Sequence, residues 1–389
     1  MKKILSFLLV FCLLCGTAAA SAEFSKEDLL ADYDEALSIL EECFPSLPYI
    51  RQQYPNYDDM CRQGRETVLN SCDSAEDLMR ILADLFNRIG SPAHLAVLDS
   101  DTYRYYTDNA AEWYDADAPE IRLFNDEQTR AVYASMDRGQ PLPSKFSSGS
   151  ALYLSSVSYD PGRSLLYLSL PSFNGSLIDH DRNILVDAVR EHPDVKHIVF
   201  DICGNHGGAD WYWLKLLVAP FGERIIYPVR YFFRDTPMTR DYGIMEDAVP
   251  VSSLPADELP PFVKELNLTY TSSGSLLVEP AEENRIIHCD AKRWVLIDEV
   301  NFSAADGFAG FCKKTHWATL VGRTTMGDGG IVRSYFTRLT RTGLLMKFTA
   351  VATANAEGLL NSLYGTNPDL PCKPSESPYD AVLRYIDME

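Results

Sequence analysis

Leu296-Ile297-Asp298-Glu299-Val300-Asn301-Phe302-Ser303-Ala304-Ala305-Asp306-Gly307-Phe308-Ala309 reads as a buried strand that breaks into a tight turn and restarts as a helix at Ser303. A serine in the first turn of a helix faces unpaired backbone amides and the positive end of the helix dipole, where negative charge is favoured. That place suits a nucleophile and the oxyanion it generates. It equally suits an N-cap, because Ser303-Ala304-Ala305-Asp306 has the spacing of a capping box. On this stretch alone both readings stay open.

Working outward, residues 151–389 alternate short strands with helices. Strands are expected over 165–170, 197–201, 224–233, 294–298 and 318–321, with helices over 178–191, 209–217 and 303–313. A hairpin-like pair over 331–336 and 344–350 and a terminal helix over 379–387 complete the segment, and the stretch around 249–263 is irregular and proline-rich. Such alternation predicts an α/β fold with much parallel pairing. Upstream the pattern is helical. Leu29, Leu30, Tyr33, Ala36, Leu37 and Leu40 recur at three- and four-residue steps, a second helix is expected over 58–69, and Ser74-Ala75-Glu76-Asp77 is a capping box that starts a third. Residues 98–150 are rich in Asp and Tyr and show no periodicity except a helix over 126–136, so they are expected to form a connecting cap.

The chain opens with Met1-Lys2-Lys3, an apolar run from Ile4 to Cys15 and then small residues ending Ala20-Ser21-Ala22. This is the pattern of a cleaved signal peptide over 1–22, too short for a membrane span, and it predicts secretion by a bacterial route. The expected organisation is therefore a signal peptide at 1–22, a helical subdomain at 23–97, a cap at 98–150 and an α/β core at 151–389. The formal charge of −20 over 389 residues repels phosphate backbones and anionic lipid, which makes nucleic acid and membrane surfaces poor candidate partners. Cys43, Cys61, Cys72, Cys203, Cys289, Cys312 and Cys372 follow the signal segment. They are too scattered for a disulfide framework, though a local bridge among the first three is conceivable, and their spacing fits no metal site.

Two further stretches carry chemistry. His197-Ile198-Val199-Phe200-Asp201-Ile202-Cys203-Gly204-Asn205-His206-Gly207-Gly208 is a strand ending in a glycine loop, whose amides can approach a ligand closely. Ile89-Gly90-Ser91-Pro92-Ala93-His94 puts a histidine directly after a glycine-proline break, where a general base could be held at a junction. Each also has an ordinary structural reading, as a strand-to-helix turn and as a satisfied histidine.

Together and in this order, the three stretches resemble the tail-specific, C-terminal-processing and tricorn-core serine peptidases, a group that includes interphotoreceptor retinoid-binding proteins. Asp201 to Gly208 is similar to that family's Asp-x-Arg-x-Asn-x-Gly-Gly, with Cys203 where its arginine stands. Ser303-Ala304-Ala305-Asp306 is similar to its Ser-Ala-x-Glu, Val321-Gly322-Arg323-Thr324-Thr325-Met326-Gly327 to its Val-Gly-x-x-Thr-x-Gly, and Gly365-Thr366-Asn367-Pro368-Asp369 to its Gly-x-x-Pro-Asp. The resemblance implies a crotonase-like (ββα-spiral) core and a serine peptidase with Ser303 as nucleophile. It also implies a peptide or protein substrate and no metal or organic cofactor.

The departures select the branch. The lysine base of the processing peptidases is replaced by Asp328, so the resemblance points to the tricorn-like variant with His94 as general base and amides of Gly207, Gly208 and Ala304 holding the oxyanion. The late glutamate that orients the histidine in that branch aligns with Ser362, which leaves Glu357 as the nearest carboxylate. Ala93 stands where a serine precedes the histidine. Residues 98–150 lack the glycine-rich loop of a PDZ domain, and none is expected. The competing reading is a catalytically silent protein that binds a peptide or an apolar ligand in the same groove. A hydrogen bond between Ser303 and His94 separates the two.

Overall fold

In the computed structural model, which describes residues 23–140, 154–330 and 333–388, twelve strands carry the fold: β1 (Ala96–Val97), β2 (Ser156–Asp160), β3 (Leu165–Ser169), β4 (His197–Asp201), β5 (Ile225–Phe233), β6 (Val249–Pro250), β7 (Tyr270–Val278), β8 (Lys292–Ile297), β9 (Thr319–Gly322), β10 (Tyr335–Arg338), β11 (Leu345–Phe348) and β12 (Leu370–Pro371). The signal peptide expected over 1–22 lies outside the described residues. The central sheet runs β12-β9-β8-β4-β3-β2. Only β2 is antiparallel to its neighbour, so this is a mixed sheet with the parallel centre that the strand-helix alternation implied.

Its central strands β3, β4 and β8 are apolar on both faces because helices cover both. Leu166, Leu168, Ile198, Phe200, Val295 and Ile297 point to one side, against Leu185 and Val189 of helix Ile178–Glu191 and Phe308 and Phe311 of helix Ala304–Thr315. Leu165, Val199, Trp294, Leu296 and Val321 point to the other, against Ala381, Val382 and Ile386 of helix Pro378–Ile386. Alternate residues of one strand thus serve two cores, the direct outcome of the two-residue period of a strand.

The N-terminal helices Lys26–Cys43, Leu47–Gln53, Tyr57–Ser71 and Ala75–Arg88 bury Leu29, Tyr33, Ala36 and Leu40 in one cluster with Phe336, Leu345, Met346 and Phe348. Their floor is the antiparallel sheet β1-β11-β10, so the segment leading to His94 is packed on strands from the far end of the chain. The cap departs from expectation. Besides helix Glu127–Met136 it contains helices Ser100–Trp113 and Pro119–Phe124. Tyrosines form their apolar face: the Tyr103 and Tyr133 rings stack at 4.1 Å, and Tyr106 meets Phe336 at 5.0 Å. Aromatic rings bury large area while keeping a polar tip, which is why a tyrosine-rich helix looks aperiodic in sequence.

β5 pairs along its whole length with β7, and the short β6 joins the far edge of β7. β7 was not anticipated, since Ser272-Ser273-Gly274-Ser275 carries none of the apolar or branched residues that mark a strand; its pairing to β5 imposes it. The conceivable bridge among Cys43, Cys61 and Cys72 is not formed, and each is a free thiol.

Candidate active site

Two turns, after β4 and after β8, are bolted together by Asn301. This fully buried side chain donates to the Asn205 carbonyl at 3.2 Å and accepts from the Asp298 amide at 2.8 Å. The turn after β8 then meets a third loop: Met326 N donates to Asn301 O at 2.8 Å and Ser303 N to Gly327 O at 3.0 Å. Ser303 is thereby held at φ 57° and ψ −127°, outside the regions an L-residue favours, directly before helix Ala304–Thr315. Such strain persists where the surroundings over-determine it, and here it projects the hydroxyl from the turn.

Ser303 makes no capping hydrogen bond, so the capping box that the sequence offered does not close. Asp306 turns the other way. Fully buried, it accepts hydrogen bonds from Thr325 Oγ1, from Asn361 Nδ2 at 2.8 Å and from Gly329 N at 2.9 Å. Burial pushes its carboxyl up from the ordinary range, against the pull of those donors. Its work is to tie the 325–329 loop to the helix that Ser303 precedes.

His94 comes from the N-terminal cluster, whose core includes its neighbours Ala93 and Leu95. Helix Ala75–Arg88 ends in a run of left-handed backbone, with positive φ at Gly90, Ser91, Ala93 and His94. Ala93 O accepts from Thr349 N at 2.8 Å, just past β11, which anchors the tight turn. His94 Nε2 then lies 3.0 Å from Ser303 Oγ, and the ring packs on Phe302 at 4.7 Å between centroids. The other ring nitrogen, Nδ1, contacts the Oδ2 of Asp328, whose side chain is 1% exposed. Two of the sequence candidates, more than two hundred positions apart, are thus brought within one hydrogen bond of each other.

The remaining candidates divide. Gly207 and Gly208 adopt φ of +94° and +143°, and a Cβ on Gly207 would sit 2.6 Å from Phe302 O and 2.9 Å from Ala304 N. Only glycine lets the two loops approach so closely. The Gly207 amide is already used, donating to Asn205 Oδ1 at 2.8 Å. The Gly208 and Ala304 amides have no hydrogen-bond partner among the described residues. Glu357 lies exposed on the turn after Asn355, outside the cleft that His94 and Ser303 line, and the carboxylate at His94 is Asp328 instead. Ser362, at the aligned place, faces Ser46 at 3.3 Å. Sequence reasoning read Asp328 as the place of the missing lysine and left the third member open between it and Glu357; the available signal was its setting in Met326-Gly327-Asp328-Gly329-Gly330, a glycine-rich loop that holds it at positive φ.

His94, Gly208 and Ser303 open into a cleft of about 690 Å³, walled by Tyr231 and Ser273 of the β5–β7 ribbon and by Tyr335 and Val351. A hydroxyl bonded to an imidazole that itself rests on a buried carboxylate can lose its proton to the ring as it attacks a carbonyl. Free amides beside it can receive the resulting oxyanion.

The comparisons bear on the family and the fold. The model of peptidase family S41 matches residues 164–372. No curated protein matches the sequence. Solved structures share the fold: a Parabacteroides merdae ATCC 43184 protein described as a peptidase (15% identity, TM-score 0.53, covering 93% of this chain and 97% of that one) and mature CPAF complexed with lactacystin (13% identity, TM-score 0.55, covering 93% and 97%). Mature CPAF itself is similar at 12% identity and TM-score 0.53, over 93% of this chain and 96% of that one. Fold and site together define a serine-type peptidase. The matched stretch is more than half of the sequence, and the chain belongs to peptidase family S41.

Proposed function

We propose that this peptidase hydrolyses peptide bonds outside the cytoplasm by a Ser303-His94-Asp328 mechanism. Ser303 Oγ attacks the carbonyl carbon while His94 Nε2 takes its proton, and the tetrahedral oxyanion is received by the Gly208 and Ala304 amides. Imidazolium then gives the proton to the departing amine, and water repeats the sequence on the acyl-enzyme. Asp328 fixes the ring's tautomer and steadies its charge. Gly207 contributes shape rather than a donor. The observation that carries the reading is the 3.0 Å contact between His94 Nε2 and Ser303 Oγ.

In the core, the parallel strands β3, β4 and β8 are each followed by a helix that packs on the sheet, which supports the crotonase-like assignment. Export rests on residues 1–22; no helix among the described residues is long and apolar enough to cross a membrane. The silent-binding reading has no observation in its favour, since a groove that only binds has no need of a strained serine on a histidine-carboxylate pair.

Labelling with a fluorophosphonate probe tests the mechanism. The wild type should label, while Ser303→Ala and His94→Gln should not, with melting temperatures showing that both fold. A folded wild type that stays unlabelled and leaves casein and peptide pools intact would overturn it.

A further inference from the structure

We infer that Asp210 makes the cleft select substrates with lysine or arginine on the acyl side of the cleaved bond. The inference rests on the hydrolytic reading above and narrows its substrate class.

Asp210 follows Gly208 by two positions, opens the short helix Asp210–Trp213, and lines the same cleft as His94, Gly208 and Ser303. Its surroundings leave its charge poorly met. Oδ1 accepts a single long hydrogen bond, from Trp213 Nε1 at 3.3 Å, and among the described residues the only other group easing its charge is His94. Burial accordingly raises its pKa. Asp210 is half-buried on the cleft wall, and a largely desolvated carboxylate with no cationic partner is costly, so a cation brought by the substrate would supply what the fold omits. The other charges of the cleft do not compete for that place. Arg333 is engaged with Glu120 at 3.2 Å and Lys347 donates to Tyr106 at 3.0 Å, while Asp247 adds a further negative charge.

Geometry sets the length of the group that fits. Gly307 donates its amide to Ser303 O at 2.8 Å, and a Cβ built on Gly307 would stand 3.4 Å from Asp210 Oδ1. The carboxylate therefore lies beside the first turn of the serine's helix, about 6 Å along the axis from the reacting residue. A carbonyl held by the Gly208 and Ala304 amides has its own side chain within that reach. Lys and Arg combine a long apolar stem with a terminal cation, and Tyr231 offers the stem an aromatic wall.

The test compares fluorogenic peptides that differ only in the residue before the cleaved bond: Lys, Arg, Leu or Glu. Wild type should favour Lys and Arg, and Asp210→Asn should lower the Lys-to-Leu ratio of kcat/KM roughly 10- to 100-fold, the range for one hydrogen bond to a charged group. Turnover of the Leu peptide and fluorophosphonate labelling should fall far less than cleavage of the Lys peptide. A wild type indifferent to charge, or a variant slowed equally on all four peptides, overturns the inference; the second result would mean that Asp210 acts on His94. Two arms do not use the Asp210 variant, and the second of them needs no catalysis. Pentylamine should inhibit Leu-peptide cleavage competitively, and Ser303→Ala should bind the Lys peptide more tightly than the Leu peptide. Binding preference without turnover would sink the hydrolytic reading alone, whereas turnover without preference would sink this one alone.

Discussion

Asp328 puts its carboxylate on His94 Nδ1 from a loop whose register against the serine turn is fixed by backbone, through Met326 N to Asn301 O at 2.8 Å and Ser303 N to Gly327 O at 3.0 Å. The same loop position carries the lysine base of the processing peptidases that the sequence resembles. One loop can thus deliver either a base to the serine or an orienting acid to a histidine, depending on which side chain it bears.

Asp328→Asn should therefore lower kcat by about 10³- to 10⁴-fold with KM nearly unchanged, because the amide can hold the ring in the wrong tautomer and cannot steady its positive charge. Asp328→Lys should restore nothing, since Nδ1 of His94 would then face a cation. Steady-state kinetics on one peptide substrate decide both; an Asp328→Asn enzyme within tenfold of wild type would remove the carboxylate from the mechanism.

Gly207→Ala should abolish turnover while leaving a folded protein. Its Cβ would meet Phe302 O and Ala304 N, which are backbone atoms that cannot rotate away, at a φ of +94°. The expected cost in stability is about 1–3 kcal/mol for strain in the left-handed region. Displacement of the Ala304 amide should cost activity far beyond that. Urea unfolding beside kcat/KM measures the two effects separately, and a variant with normal activity would show that the loops have room to part.

What the sequence revealed follows from which features are local. The strand-turn-helix at Ser303, the glycine loop at Gly207 and Gly208 and the break before His94 are each written in a dozen consecutive residues, so they were legible. The partner of His94 was not, because Asp328 reaches it only through the pairing of two loops. Asp306 was misread for a related reason. Its capping-box spacing is genuine, but donors from Thr325, Asn361 and Gly329, distant in sequence, outbid the local cap. β7 and the helix Ser100–Trp113 were hidden because tertiary pairing and tyrosine packing, rather than propensity, hold them.

Asp306→Asn should loosen the loop that bears Asp328. Its Oδ2 receives both the Gly329 amide and Asn361 Nδ2, so an asparagine keeps its oxygen there and turns its NH₂ on Thr325 Oγ1, which already accepts the Thr366 amide and whose own proton then loses its acceptor. Leaving such buried groups unpaired costs about 1–3 kcal/mol each. kcat should fall with KM largely retained, and Thr325→Val should produce a milder version of the same change. A destabilised variant whose remaining folded fraction has full kcat would show that Asp306 serves the fold alone.

Glu120 carries a pH signature. It is fully buried, neither carboxylate oxygen has a hydrogen-bond partner among the described residues, and its ion partner Arg333 is 51% exposed. Burial raises its pKa above the ordinary glutamate value near 4.5, with Arg333 pulling the other way. A raised folded-state pKa means that the native protein holds the proton more tightly than the unfolded chain. The associated stability is complete below about pH 4.5 and is lost as pH climbs through the folded value. Glu120→Gln removes this titration while Arg333 stays charged throughout. Melting curves from pH 4 to pH 8 should show the variant gaining steadily on wild type as pH rises, and two parallel curves would mean that Arg333 already compensates the buried carboxylate in full.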